Sequence, residues 1–337
     1  MTTITVFGGG SWGTALAHLL ASEGRDVLLW CRSAEQARAI TLTGRNPKHL
    51  KTVDLAPKLL STANLSDAAD FSPNWISAVP AQAFRSLMER LAPFRQEGLR
   101  ICNVAKGIEI ASGFRLSEVA AQVIPDGDYA LLSGPSHAEE VAAGQPAAVV
   151  VAAVDEATAR HWQELVMTPA FRVYTSTDVV GVEIGGAVKN VIAVGAGIAR
   201  AMGLGDNATA ALVTRGLAEI MRLGARLGAN PLTLAGLTGA GDLMVTCFSG
   251  LSRNYRLGLE IGRGKSLQEA SDALGEVAEG AFTVRALVEH ALKLDVDIPL
   301  SMAVYGALYR GTPPAELLEA LLVRSPKPEM PPLFWRE

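Results

Sequence analysis

Apolar positions along the chain fall into two regimes. Up to about residue 177 they come as short blocks bounded by polar, glycine or proline residues, the signature of buried strands. The blocks at 4–7, 27–31, 59–62, 75–79, 99–104, 129–133, 147–154 and 171–175 predict strands. Between several of them the period lengthens to that of helices, at 14–20, 82–91, 115–123 and 156–166. Strand–helix alternation of this kind predicts an α/β fold, a doubly wound, mostly parallel sheet with ligand sites at the strand C-terminal ends. After Asp178 the strand pattern stops. Helical periodicity then runs through 182–202, 208–227, 253–262, 266–274, 283–294, 301–309 and 315–323. Ser266 and Glu269 have the spacing of a capping box. The predicted organisation is residues 1–177 as an α/β domain and 178–337 as an all-helical domain. The segment 326–332 is too proline-rich for a helix and reads as an extended tail.

The first junction between regimes is the most informative. The block 4–7 runs into Gly8-Gly9-Gly10-Ser11-Trp12-Gly13 and then into a helical pattern. Strand, G-x-G-x-x-G and helix in that order form a dinucleotide-binding fingerprint, which predicts 1–177 as a Rossmann-like, dinucleotide-binding domain and leaves 178–337 as the substrate-binding and catalytic one. Gly8 suits the tight turn, Gly10 lets backbone approach a pyrophosphate, and Gly13 lets helix and strand pack closely. Amide groups and the positive end of the helix dipole then face the phosphates. The second strand block ends at Cys31-Arg32-Ser33 without the carboxylate that selects NAD. Arg32 could pair with a ribose 2′-phosphate, which favours NADP slightly over NAD; a solvated surface arginine is the alternative.

Composition narrows the partners. With 337 residues, 49% of them hydrophobic, the chain can fill two cores. A net charge of −4 gives no electrostatic case for nucleic acid or an anionic membrane surface, so phosphate-binding cations must be placed locally. Cys31, Cys102 and Cys247 are far apart and lack metal-ligand spacing. Reduced thiols and the absence of a secretory-type segment predict a cytoplasmic protein. The apolar stretch 182–199 carries Glu183 and Lys189, which predicts a buried helix rather than a membrane span.

Few residues have the context for chemistry. Lys106 follows a strand end in Asn103-Val104-Ala105-Lys106-Gly107, and Lys189 sits with Asn190 in a glycine-rich apolar helix. A desolvated lysine near a second cation has a lowered pKa and can exchange protons near neutrality. An ion pair with Glu183, or a snorkelling side chain, would account for Lys189 without chemistry. Asp242, in Thr238-Gly239-Ala240-Gly241-Asp242, could fix a catalytic ammonium or simply cap a helix. Ser252-Arg253-Asn254 at a predicted helix start suits phosphate or hydroxyl recognition, or capping. His137 stands alone, and no metal site is expected.

These residues, taken together, resemble the bacterial NAD(P)-dependent glycerol-3-phosphate dehydrogenases over nearly the whole chain. The resemblance is carried by 8–13 with Ser11-Trp12, Ala78-Val79-Pro80, Ala105-Lys106-Gly107-Ile108-Glu109, Ser133-Gly134-Pro135-Ser136, 185–190, 238–242, Ser252-Arg253-Asn254 and Val277-Ala278-Glu279-Gly280. It implies reversible reduction of dihydroxyacetone phosphate to sn-glycerol 3-phosphate for phospholipid synthesis. By that resemblance Lys189 is the acid/base, while Lys106, Gly134, Ser136, Asp242, Ser252, Arg253 and Asn254 meet substrate. Ser11, Trp12, Arg32, Lys106, Ala138, Arg253, Val277 and Glu279 would meet the cofactor, with a homodimer as the assembly. Two positions depart from the pattern: His49 replaces a tyrosine, and His137 stands where phenylalanine is common. The rival readings are a dehydrogenase of hydroxyacids or hydroxyacyl thioesters, and an NADP-sensing protein without turnover.

Overall fold

A computed structural model describes residues 3–275, 277–326, 328 and 329. The α/β half runs β1 (Thr3–Phe7), α1 (Ser11–Ser22), β2 (Asp26–Trp30), α2 (Ala34–Thr43), β3 (Leu60–Thr62), α3 (Leu65–Asp70), β4 (Asn74–Ser77) and α4 (Ala81–Leu91). It continues with β5 (Arg100–Asn103), α5 (Leu116–Val123), β6 (Asp128–Ser133), α6 (Ala138–Ala142), β7 (Ala147–Ala153), α7 (Glu156–Val166) and β8 (Phe171–Ser176). The eight strands form one sheet in the order β3-β2-β1-β4-β5-β6-β7-β8. Every pairing is parallel except β6 with β7.

Alternation along the strands explains the two buried faces. Ile4, Val6, Val27 and Leu29 point into one core with Leu16, Leu20 and Trp162. Phe7, Leu28 and Trp30 point into the other with Trp75, Phe84 and Met88. A sheet covered on both sides needs such continuous apolar strands. The order reverses between β1 and β4, and that switch point opens the crevice where doubly wound sheets bind ligands.

The helical half comprises α8 (Val179–Ala201), α9 (Asp206–Arg226), α10 (Pro231–Ala235), α11 (Asp242–Phe248), α12 (Arg253–Gly262), α13 (Leu267–Leu274), α14 (Glu279–Leu294), α15 (Pro299–Tyr309) and α16 (Pro314–Leu322). Helix α8 is long and apolar enough to cross a membrane, but 89% of that apolar window is buried inside the protein. It is the axle around which the other helices pack. A Cβ on Gly258 would sit 2.0 Å from the Val194 carbonyl oxygen, and one on Gly197 2.1 Å from that of Tyr255. Those glycines let α12 lie directly on α8, which brings the first turn of α12 against Asn190, the neighbour of Lys189.

The strand expectations hold to within two residues of each end. Helices α2, α3, α6, α10 and α11 have no counterpart in the sequence reading, and α14 begins at Glu279 rather than 283. Ser266 caps α13 in the predicted box with Glu269. Of the proline-rich segment, Lys327 and 330–332 lie outside the described residues.

Candidate functional site

The glycine loop is built as its spacing implies. Gly8 holds φ +129°, and a Cβ there would meet the Ala78 carbonyl oxygen at 2.6 Å. A Cβ on Gly13 would lie 2.0 Å from the Gly8 oxygen, so α1 can approach β1 only with glycine at that position. Gly10 is different, because nothing lies within 4 Å of where its Cβ would be. It caps α1 without any side-chain hydrogen bond, leaving the amides of the first turn open for an acceptor. That open cradle fits the phosphates of NAD(P), and an anion there meets the positive helix end.

Beside it lies a cleft with a volume of about 220 Å³. The sheet half lines it with Ser11, Trp12, Lys106, Ser136 and Ala138. The helical half adds Lys189, Asp242 and the Ser252-Arg253-Asn254 turn, then Val277 and Glu279 from the approach to α14. Gly134 is not part of that lining, but its backbone oxygen accepts from Lys106 Nζ. Arg32 is exposed two residues past β2 and is not part of the cleft lining.

At the centre, one carboxylate joins two ammonium groups. Lys189 Nζ donates to Asp242 Oδ1 at 2.5 Å and to Thr246 Oγ1 at 2.6 Å. Lys106 Nζ donates to Asp242 Oδ2 at 2.7 Å and to the Gly134 oxygen at 2.8 Å. Each lysine comes from a different place: Lys106 from the loop after β5, Lys189 from the middle of α8. Asp242 opens α11, just past a five-residue π turn (Leu237–Gly241). Gly239 permits that turn, because a Cβ there would fall 1.8 Å from the Leu234 oxygen.

Burial drives the Lys189 pKa down to about 8; Asp242 opposes the shift and the Lys106 charge adds to it. Burial would push Asp242 up, but the two ammonium groups outweigh it and hold its carboxyl below the usual range. Glu183 does not pair with Lys189. It accepts from Arg115 Nη1 at 3.1 Å and from the Ser117 backbone amide at 2.8 Å, which removes the ion pair considered above.

An amide relay connects the rest. Asn190 Nδ2 donates to the Lys106 oxygen at 3.0 Å, and Asn254 Nδ2 donates to Asn190 Oδ1 at 2.8 Å. Asn254 Oδ1 in turn accepts from the Gly280 amide at 2.8 Å. Glu279 Oε1 accepts from the Ala81 amide, and burial raises its pKa. Ser252 caps α12, as its local sequence allows, yet it also lines the cleft.

The sequence reading missed several lining residues, among them Val245, Thr246 and Arg256. Arg256 stands one helical turn past Arg253, a spacing that could have flagged it. Thr246 had no motif around it. His137 does line the cleft; burial and the nearby Lys189 charge lower its pKa.

Comparison with known proteins follows the same division. Residues 3–159 match the profile of the NAD-dependent glycerol-3-phosphate dehydrogenase N-terminus, and 178–319 that of its C-terminus. The chain is 48% identical over 332 residues to the NAD(P)+ glycerol-3-phosphate dehydrogenase 1 of Salinibacter ruber, covering 98% of this chain and 97% of that one. It is 48% identical over 322 residues to the Moorella thermoacetica protein of the same activity name, covering 96% of each. The crystal structure of glycerol-3-phosphate dehydrogenase from Coxiella burnetii superposes with a TM-score of 0.92 at 35% identity, covering 96% of this chain and 99% of that one.

Proposed function

The chain belongs to the NAD-dependent glycerol-3-phosphate dehydrogenase family, and on that premise we propose how its residues carry the reaction and in which direction it serves. It is an NAD(P)-dependent oxidoreductase acting on a CH–OH group. The proposed physiological direction is reduction of dihydroxyacetone phosphate to sn-glycerol 3-phosphate, the backbone of phospholipids. Residues 1–177 hold the dinucleotide and 178–337 supply most of the catalytic groups. The reading extends to a cytoplasmic homodimer.

Bound nicotinamide supplies the hydride that reaches the ketone carbon, or receives it in the reverse direction. As negative charge grows on the carbonyl oxygen, the Lys189 ammonium stabilises it and transfers a proton to it. With a pKa near 8, Lys189 is mostly charged at neutral pH and still able to give up its proton. In the oxidation direction the neutral amine takes the hydroxyl proton. Asp242 keeps Lys189 and Lys106 in place, so neither ammonium needs to reorganise during the reaction. Arg253, Asn254 and the amides at the start of α12 suit the substrate phosphate, and holding it aligns the carbonyl with Lys189.

The observation that carries this reading is the buried carboxylate shared by two lysines at the cleft floor. Its test follows absorbance of reduced nicotinamide when purified protein meets dihydroxyacetone phosphate. Consumption is expected with the phosphorylated ketone and not with dihydroxyacetone. Equal rates with both would refute phosphate recognition by the α12 turn.

A further inference from the structure

A second, open recess is lined by Ser11, Lys48, His49, Lys51 and Glu139. Ser11 and Glu139 also line the catalytic cleft, so the two spaces meet at the start of α1. The loop between α2 and β3 that carries the lysines is fastened to the glycine loop. Buried Asn46 donates through Nδ2 to the Gly9 oxygen at 3.0 Å and to Thr14 Oγ1 at 2.8 Å. Its Oδ1 accepts from the backbone amides of Lys48 and His49, both at 3.1 Å. One side-chain amide therefore sets the cationic loop against the glycine turn.

We propose that Lys48 and Lys51 form an electrostatic clamp on the cofactor pyrophosphate, completing the anion site begun by the N-terminus of α1. This rests on the reading that the 8–13 loop seats that pyrophosphate. A helix end contributes only about half a unit of positive charge, and this one has no side-chain cap. The chain as a whole is negative, at −4, and Glu139 adds a carboxylate to the recess. Two exposed ammonium groups at this one loop place local positive charge against the Glu139 carboxylate and beside the helix end. The pyrophosphate is favoured over a 2′-phosphate because Ser11, in the first turn of α1, shares the recess, whereas Arg32 at the end of β2 does not line it.

The test is equilibrium titration of the full chain with NADPH and with NADH, followed by nucleotide fluorescence at low and high ionic strength. For K48A/K51A the Kd of both nucleotides should rise about tenfold, as loss of charge-assisted contacts implies, and the salt dependence should flatten. The thermal midpoint without nucleotide should stay as in the unmodified protein, because both side chains are exposed. K48R/K51R should restore affinity, and K58A, outside the recess, should leave it alone. Unchanged Kd values in K48A/K51A would overturn the clamp, as would a loss confined to NADPH. Failure of the unmodified protein to bind either nucleotide would overturn the dinucleotide reading itself, and the clamp with it.

Discussion

Lys189 Nζ and Asp242 Oδ1 stand 2.5 Å apart in a pair buried from solvent, yet the carboxylate is not the lysine's alone. Its other oxygen holds Lys106. Charge balance at the site is one anion against two cations, so the cluster retains a net positive charge that a phosphorylated, incipiently anionic substrate complements.

Replacing Lys189 with alanine should lower kcat by about 10²–10⁴-fold, the usual reach of a general acid or base. The nucleotide Kd should barely move, because the glycine cradle is untouched. A variant that turns over near the normal rate removes Lys189 from the chemistry.

The pH profile should depend on reaction direction. On the proposed mechanism ketone reduction needs protonated Lys189, so its rate should fall as pH rises through about 8. Alcohol oxidation needs the neutral amine and should rise over the same interval. Asp242→Asn removes the charge that favours the ammonium, so both midpoints should move to lower pH. Profiles of kcat that keep their midpoints in that variant would contradict the assignment.

The same shift has a sign in stability. The folded pKa of Lys189 lies below that of an unfolded lysine, so between about pH 8 and the ordinary value of 10.5 the unfolded chain binds more protons. Its contribution to stability should therefore increase with pH across that window. Urea titrations of the unmodified protein and Lys189→Met should diverge there.

Arg253→Ala should raise KM for dihydroxyacetone phosphate by about tenfold or more, with a smaller rise for the cofactor, because a charge-assisted contact is lost. Steady-state kinetics with each substrate varied in turn will separate the two effects. No change in KM would leave the phosphate to other groups.

Two glycines three residues apart should behave in opposite ways. Gly13→Ala puts a methyl 2.0 Å from the Gly8 oxygen and should cost about 3 kcal/mol of stability, or prevent folding. Gly10→Ala meets nothing within 4 Å, so the fold should stand while nucleotide affinity falls. Thermal melts paired with NADPH titration distinguish them.

What could be read from the chain follows from how local each signal is. The strand blocks and the 8–13 loop are decided by neighbours in sequence, and they appear where expected. Helix α2 escaped notice because it buries only Gln36, Ala37 and Ile40, too few apolar residues to set a period. Helices α10 and α11 flank a glycine-rich π turn, a sequence that reads as a loop. Lys106, Lys189 and Asp242 are each conspicuous, and Asp242 reads as a possible partner of an ammonium, but that it holds both lysines is not legible, since it joins positions 136 and 53 residues apart. The alternative of a Glu183–Lys189 ion pair falls for the same reason, because Glu183 is taken by Arg115, which arrives from the start of α5. Thr246 becomes visible only once α11 is seen to be a helix, one turn beyond Asp242.

The shared carboxylate also divides the proposed catalytic cluster between the two halves of the chain. Lys106 rides on the sheet, whereas Lys189 and Asp242 ride on the helices, and Asp242 is satisfied only when both are docked. Cutting the backbone between 177 and 178 would leave a nucleotide-cradling fragment missing an anion and a helical fragment holding that anion with a single cation. Mixing the two pieces and watching activity return would amount to titrating the assembly of one carboxylate.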